Sequence, residues 1–255
     1  MKNLLNKFKI DFSTYILILL AFLAGYLKDI SIVLFIVIVH EFGHILFFKI
    51  FKFEIIRVVI YPFGGMSFIN KKVHTRIYKD ILVSLGGIIF QLILFVLIYI
   101  LYFNNLIVYS TFELFLLYNK SIIIFNLIPL IPLDGSKLVF AIFTKFFSYK
   151  KSYYLMIILS CFSLMCFIFI TFNLKLNDIT IYIFLLFSII KSIKDYKMYF
   201  NKFCLERILY NNYYNEIFSG NYKVDDMRID KYYYFKSNDK YINERKYLYS
   251  KWAKF

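Results

Sequence analysis

The chain has 255 residues, of which 61% are hydrophobic, and its mean hydropathy is +0.65. These values lie well above the range of a soluble globular domain and predict a polytopic membrane protein. The net charge of +15 does not require a nucleic-acid partner, because part of it reflects the Lys- and Asn-rich composition that is typical of an AT-rich genome. The three cysteines have no metal-ligand spacing, so neither a disulfide framework nor a zinc knuckle is indicated.

Six apolar segments are candidates for crossing a hydrocarbon core, which takes about 20 residues, although the first and the last are shorter than this. We therefore predict an all-α membrane protein with about six transmembrane helices. The predicted spans are Phe12–Leu27, Ile30–Phe51, Asp80–Phe103, Thr111–Leu130, Tyr153–Phe172 and Ile179–Ile190. Lys and Arg are concentrated in every second loop, so the positive-inside rule places both termini in the cytoplasm.

The second span contains the sequence His40-Glu41-Phe42-Gly43-His44 in its cytoplasmic half. Two histidines four residues apart share one face of a helix and can occupy adjacent corners of a zinc tetrahedron. Glu41 can then serve as the general base for a metal-activated water. This pattern predicts a metal-dependent hydrolase, and the alternative is a pair of buried polar residues that satisfy one another in a helix bundle.

Residues 54–70 are rich in β-branched and aromatic side chains and are interrupted by Pro62-Phe63-Gly64-Gly65. This composition predicts a hairpin or a re-entrant loop between the second and third spans. With Gly64 and Gly65 at its turn, such a hairpin offers an edge strand to an extended substrate by β-augmentation. The alternative is a surface hairpin at the membrane interface.

The third span begins with a patch of small residues, Ser84, Gly86 and Gly87, which favours close packing against another helix. One turn further, Gln91 is expected to form a hydrogen bond across helices or to face the site and contact substrate.

The fourth span ends in Asn126-Leu-Ile-Pro129-Leu-Ile-Pro132-Leu-Asp134-Gly135, where two prolines prevent a regular helix. Asp134 is the candidate third metal ligand, because a catalytic zinc site needs a third protein ligand besides the two histidines. The alternative for Asp134 is an N-cap of the next helix. Asn126 is expected to donate to the substrate backbone or to carbonyls that the prolines leave free.

Composition changes after the last span, which predicts two regions: residues 1–192 form the membrane domain, and residues 193–255 form a short, basic, Tyr-rich cytoplasmic tail. The alternation of Lys, Tyr and acidic residues in the tail is compatible with binding to anionic lipid. It is equally compatible with a small strand-containing module that grips a substrate or partner.

The His40–His44 motif and the Asn126–Gly135 segment together resemble the site-2 protease family of intramembrane zinc metalloproteases, and most of all the stage IV sporulation protein FB group. The resemblance covers about residues 10–192. It implies that His40, His44 and Asp134 hold Zn²⁺ and that Glu41 is the catalytic acid and base. It further implies a bacterial cell membrane, a membrane-associated pro-sigma factor as substrate, and regulatory membrane proteins as partners.

Three features depart from the family pattern. Ser136 replaces the second glycine that often follows the aspartate–glycine pair. Gly86-Gly87-Ile88-Ile89-Phe90-Gln91 replaces the alanine-glycine-proline-x-x-asparagine pattern of the third span, which puts its substrate-contact role in doubt. The tail shows no pattern of a nucleotide-sensing CBS domain, so regulation by ATP is not supported.

The leading hypothesis is a zinc-dependent intramembrane protease that cleaves a membrane-associated protein near the cytoplasmic face. One alternative is a membrane zinc endopeptidase of another family, in which a glutamate replaces Asp134 as the third ligand. The other is a non-catalytic membrane scaffold that keeps a metal site for structure.

Overall fold

The computed structural model describes residues 8–61, 64–70, 73, 75–174, 179–209, 216–237 and 240–252. The helices are α1 (Phe12–Leu23), α2 (Leu27–Ile50), α3 (Ile77–Phe103), α4 (Tyr109–Leu127), α5 (Asp134–Phe146), α6 (Tyr149–Asn173), α7 (Ile179–Leu209) and α8 (Glu244–Trp252). The strands are β1 (Phe8–Ile10), β2 (Glu54–Tyr61), β3 (Gly64–Asn70), β4 (Glu216–Gly220), β5 (Lys231–Ser237) and β6 (Lys240–Asn243).

Among these residues, α2, α3 and α6 have the length and apolar composition of membrane spans. They contain 24, 27 and 25 residues, so each is about 36–40 Å long and exceeds a hydrocarbon core of about 30 Å. Helix α1 is apolar but has only 12 residues. The chain is thus a largely helical membrane protein, and the full set of six crossings stays a prediction.

The all-α description is corrected by two three-stranded sheets, in the orders β1-β2-β3 and β4-β5-β6. The contacts within the chain define two compact units, and each sheet belongs to one of them. The first unit comprises the described residues of Met1–Lys71 and Leu82–Asn126, and the second comprises those of Lys72–Ile81 and Leu127–Phe255.

In the first unit, β2 and β3 pair antiparallel from Glu54↔Asn70 to Tyr61↔Gly64, as the hairpin prediction requires. Pro62 and Phe63 of the predicted turn lie outside the described residues. On the buried side of β2, Ile55 and Val58 pack against Ile45 and Phe48 of α2. The hairpin is therefore packed on the helix that carries the His40–His44 motif, while its depth in a membrane stays a prediction.

The predicted fourth span is two helices, because α4 ends at Leu127 and α5 begins at Asp134. Pro129 and Pro132 lie between the two helices. Because proline has no backbone N–H group, neither residue can donate the hydrogen bond that would continue a helix. Ser160 of α6 donates a hydrogen bond of 3.4 Å to the Pro129 carbonyl. A Cβ atom on Gly135 would lie 2.4 Å from the carbonyl oxygens of both Leu127 and Ile128. Glycine is therefore required at the second residue of α5, where the helix packs against the backbone of these two residues.

The tail is a folded module, as the strand-containing alternative expected. In β5, the alternate residues Tyr233 and Phe235 are buried in a core with Phe203 of α7 and Leu248 of α8. Burial of every second residue is the pattern of a strand with one buried face, and the predicted all-α fold does not include such a strand. The boundary predicted at residue 193 falls inside α7, which continues to Leu209.

The core of this module also includes residues that precede the tail. Tyr149, in the first turn of α6, is buried in it and stacks on Phe203 with ring centroids 4.4 Å apart. Phe140 of α5 packs against this core and also against a second core around Leu130 and Tyr153. One apolar side chain of α5 therefore connects the two cores of the second unit.

A buried ion pair holds the module together. Arg207 and Glu244 have fully buried side chains, and Arg207 Nη1 lies 2.9 Å from Glu244 Oε1. Arg207 also donates to the carbonyls of Ile229 and Lys231, and Glu244 accepts from the Tyr233 N–H. The pair thus joins α7, α8 and the approach to β5, and each charge has several hydrogen-bonding partners, as burial requires.

Candidate metal centre and active site

The His40–His44 motif lies on α2 with both rings buried. The two Nε2 atoms face each other at 3.1 Å, and the ring planes are nearly perpendicular, at 79°. The spacing of four residues places the rings on one face, as predicted.

The outer nitrogen of each ring has an oxygen partner. His44 Nδ1 lies 2.7 Å from the Val83 carbonyl oxygen, and His40 Nδ1 lies 2.9 Å from Gln91 Oε1. Since a carbonyl oxygen only accepts, both Nδ1 atoms carry the proton, and both Nε2 atoms present a lone pair. Two lone pairs at 3.1 Å do not bond to each other, so this arrangement is suited to a cation between them.

The geometry fits zinc. Two nitrogens at 2.0–2.1 Å from a tetrahedral zinc ion are separated by about 3.3 Å, close to the observed Nε2–Nε2 distance. The hydrogen bonds at Nδ1 are of the kind that orients metal-bound histidines in known sites. This donor set explains the burial of two imidazoles better than mutual satisfaction does, because neither ring donates to the other.

Glu41 is buried beside the histidines, and its Oε2 accepts a hydrogen bond of 3.0 Å from Ser67 Oγ on β3. The β3 backbone comes so close that a Cβ atom on Gly65 would lie 2.2 Å from Glu41 Cγ. Gly64, the other glycine predicted to bind substrate, begins β3 with a φ of +142°, a conformation that other residues rarely adopt. The hairpin therefore fixes the carboxylate of Glu41 from one side.

The glycines of α3 confirm the packing interpretation. A Cβ atom on Gly86 would meet the Phe47 ring at 2.7 Å, and a Cβ atom on Gly43 would meet the Gly86 carbonyl oxygen at 2.2 Å. On Gly87 it would lie 2.3 Å from His40 Cε1. Only glycine at these positions lets α3 approach α2 at the motif.

Gln91 forms the expected hydrogen bonds across helices. Its side chain is fully buried, and a contact with substrate stays a prediction. Its Oε1 engages His40, and its Nε2 donates to Asn119 Oδ1 of α4 at 3.3 Å. Asn119 and Ser67 were not predicted as site residues, although an amide in an apolar segment such as α4 is itself a signal of function.

Asp134 is the first residue of α5, and the N-cap position is Leu133, without a side-chain capping bond. The capping alternative is therefore not what the structure shows. The Asp134 side chain is 7% exposed and its Oδ1 accepts from Lys137 Nζ at 2.8 Å, while the Lys137 side chain is 62% exposed. Asn126 donates to the Ile122 carbonyl of its own helix, at 3.1 Å.

Sequence comparison identifies the family. The model of peptidase family M50 matches residues 103–169, which include Asn126 and Asp134. Stage IV sporulation protein FB of Bacillus subtilis (strain 168) is 30% identical over 208 residues, which are 80% of this chain and 72% of that protein. The chain belongs to peptidase family M50.

The fold of this M50 peptidase agrees with that assignment. The site-2 protease from Methanocaldococcus jannaschii superposes with a TM-score of 0.52 at 20% identity, covering 73% of this chain and 91% of that one. The M50 peptidase is thus an integral membrane protein of a metalloprotease family, and the resemblance inferred from its motifs is confirmed. The residues that match the family model, 103–169, do not include the His40–His44 motif.

Proposed function

We propose that this M50 peptidase is a zinc-dependent intramembrane protease that cleaves a membrane-associated protein near the cytoplasmic face. The observation that supports this most is the pair of inward-facing Nε2 lone pairs beside the buried carboxylate of Glu41. A nitrogen pair with an adjacent carboxylate is the arrangement that metal-assisted peptide hydrolysis needs.

His40, His44 and Asp134 are the proposed zinc ligands. Asp134 supports this role because its carboxylate is buried, while its described ionic partner Lys137 is largely in solvent. A buried charge is costly unless it is paired or binds a metal. When bound, zinc supplies the Lewis acidity that polarises a peptide carbonyl and makes water acidic.

Glu41 is the proposed acid and base. Ser67 holds one carboxylate oxygen, and the Gly65 backbone limits where the side chain can move. The carboxylate accepts the proton of the attacking water and then delivers it to the amine of the departing peptide. A buried base with fixed orientation needs little reorganisation for either transfer.

The substrate is proposed to bind as an extended segment along β3. Within the described sheet, β3 pairs with β2 alone, so its second edge is available to another strand. Because Ser67 of β3 contacts Glu41, a segment added to β3 is brought next to the base. Gly64 and Gly65 allow close backbone approach at the start of β3, and Asn126 remains a candidate donor to the substrate backbone.

The name of the relative supports a proposal for the biological role. Stage IV sporulation protein FB is a sporulation protein by that name, and we infer a role in sporulation here, with a membrane-associated pro-sigma factor as substrate and membrane proteins as regulators. The basic loops support cytoplasmic termini in a bacterial cell membrane.

Glu41→Gln tests the catalytic proposal. The variant is expected to retain zinc and to lose cleavage of a co-expressed, membrane-tethered pro-sigma factor. Glu54→Gln is the matched control, because Glu54 is an exposed residue of β2 that bonds to Asn70, and it should cleave normally. Cleavage by Glu41→Gln at the wild-type rate would favour the non-catalytic scaffold instead.

Asp134→Ala tests the third ligand. Zinc measured in the purified protein should fall well below one ion per chain, because two histidines alone leave the site one protein ligand short. Stoichiometric zinc in this variant would remove Asp134 from the site and favour an endopeptidase with another ligand.

A further inference from the structure

We propose that Asn119 is a positioning residue of the metal centre, which acts by orienting the Gln91 amide and thereby sets the tautomer of His40. The proposal rests on the zinc site proposed above and adds a residue of α4 that reaches His40 through Gln91.

The orientation of the Asn119 amide is fixed by a backbone carbonyl group. Asn119 Nδ2 donates to the Gln91 main-chain carbonyl at 3.1 Å, and that carbonyl can only accept. The Asn119 amide is therefore fixed with its NH₂ group toward the main chain. Its oxygen consequently faces Gln91 Nε2, at 3.3 Å.

The same polarity then passes through Gln91 to the histidine. With Nε2 donating to Asn119, Gln91 presents Oε1 to His40 Nδ1 at 2.9 Å. An oxygen at this position requires the proton on Nδ1 and leaves the lone pair of Nε2 for a metal. The reversed Gln91 amide would present its NH₂ group to Nδ1, move the ring proton to Nε2 and prevent coordination.

The two histidines differ in how this is achieved. His44 donates directly to the Val83 carbonyl, whose polarity cannot reverse. His40 depends on the side-chain amide of Gln91, which has nearly the same shape after a rotation by 180° that exchanges its oxygen and nitrogen. The tautomer of His40 therefore needs the Asn119 amide to fix the orientation of Gln91. His40, Gln91 and Asn119 are 5%, 0% and 3% exposed, which leaves little access for bulk water to replace a missing partner.

The expected effect follows from the role of hydrogen bonds to metal-bound histidines, whose loss typically lowers metal affinity about 10–100-fold. Asn119→Leu removes the orienting amide at similar volume and should weaken zinc binding by that factor. Adding Gln91→Glu should restore most of it, because both oxygens of a carboxylate accept and need no orientation. A purely structural role of Asn119 predicts no such rescue.

The experiment compares wild type, Asn119→Leu and the double variant Asn119→Leu/Gln91→Glu in detergent, with two readouts. Zinc affinity is measured by chelator competition. The His40 tautomer is measured by ¹⁵N NMR of histidine-labelled, zinc-free protein at about pH 8.5, above the ordinary histidine pKa. The chain has three histidines, and His74→Gln simplifies the assignment.

Tyr118→Phe is the matched control. Tyr118 is the neighbour of Asn119 on α4, and its hydroxyl donates to Asp29 Oδ1 of α2 at 2.6 Å, so this variant removes a different interhelical hydrogen bond of the same helix. It should leave zinc affinity within about twofold of wild type. Asn119→Ala, which removes the amide without adding bulk, is the second variant if Asn119→Leu does not fold.

Support requires that the Asn119 variant lose the Nδ1-protonated signal of His40 together with zinc affinity, and that Gln91→Glu restore both. An unchanged tautomer, or a loss that Gln91→Glu does not repair, overturns the proposal. Because the tautomer is measured without zinc, it separates this outcome from a failure of the protease proposal, in which the wild type itself would not bind zinc or cleave.

Discussion

Gly87→Ala is the substitution whose consequence the structure defines most sharply. A Cβ atom at this position would lie 2.3–2.6 Å from three atoms of the His40 ring. An ordinary contact begins at 3.4 Å, so the ring would have to retreat by about 1.1 Å. That movement would also strain the hydrogen bond between His40 Nδ1 and Gln91 Oε1.

The cost should appear in function more than in stability. Alanine is favoured over glycine in a helix interior by about 1 kcal/mol, which offsets part of the lost packing. A ligand displaced by about 1 Å, by contrast, can reduce catalysis about 100-fold. We therefore expect Gly87→Ala to fold, to bind zinc about 10–100-fold more weakly and to cleave at about 1% of the wild-type rate.

Gly86→Ala, one residue earlier on α3, provides the comparison. Its Cβ atom would meet the Phe47 ring at 2.7 Å and the Gly43 carbonyl oxygen at 3.0 Å, and none of its three nearest atoms belongs to a proposed metal ligand. This variant should lose thermal stability but bind zinc normally when folded. Zinc affinity by chelator competition and thermal unfolding in detergent distinguish the two. Wild-type zinc affinity and cleavage in Gly87→Ala would refute the assigned contact between α3 and His40.

Three further predictions concern the base and the tail module. Ser67→Ala should reduce cleavage about 10–100-fold at unchanged zinc content, because a hydrogen bond to a charged acceptor such as Glu41 contributes about 1.5–3 kcal/mol. An unchanged cleavage rate would contradict this. Arg207→Met leaves the Glu244 carboxylate buried without its cation, at about 3–5 kcal/mol, so trypsin should cut the tail much faster, and equal digestion would argue against the ion pair. Burial raises the pKa of the Cys204 thiol to about 12, so iodoacetamide at pH 8 should label it only after unfolding, as peptide mass spectrometry would show.

The parts of the site that sequence alone predicted are those encoded locally. Two histidines four residues apart define their own face of a helix, and the prolines after Leu127 disrupt the interior of any helix that would continue through them. The β-branched run of β2 likewise carries its strand preference in its own residues. Each of these needs no knowledge of distant contacts.

The hydrogen-bonding partners of the site could not be predicted in this way. Gln91 is 51 residues from His40, and Ser67 is 26 residues from Glu41, so their pairing depends on how helices and hairpin pack. Asn119 reaches the centre only through another side chain. In the tail, Arg207 is one of 31 basic residues, and only the packing of α7 and α8 distinguishes it from the others.

The position of Phe140 between the two cores of the second unit has a consequence for engineering this enzyme. A chimera that joins a foreign C-terminal module at residue 193 would divide α7 and separate Phe140 and Tyr149 from the side chains they pack against. Since Phe140 and Asp134 share α5, such a graft would also disturb the helix that carries the proposed third ligand. A segment exchanged between homologues without dividing these cores must therefore be longer than the tail and must include α5.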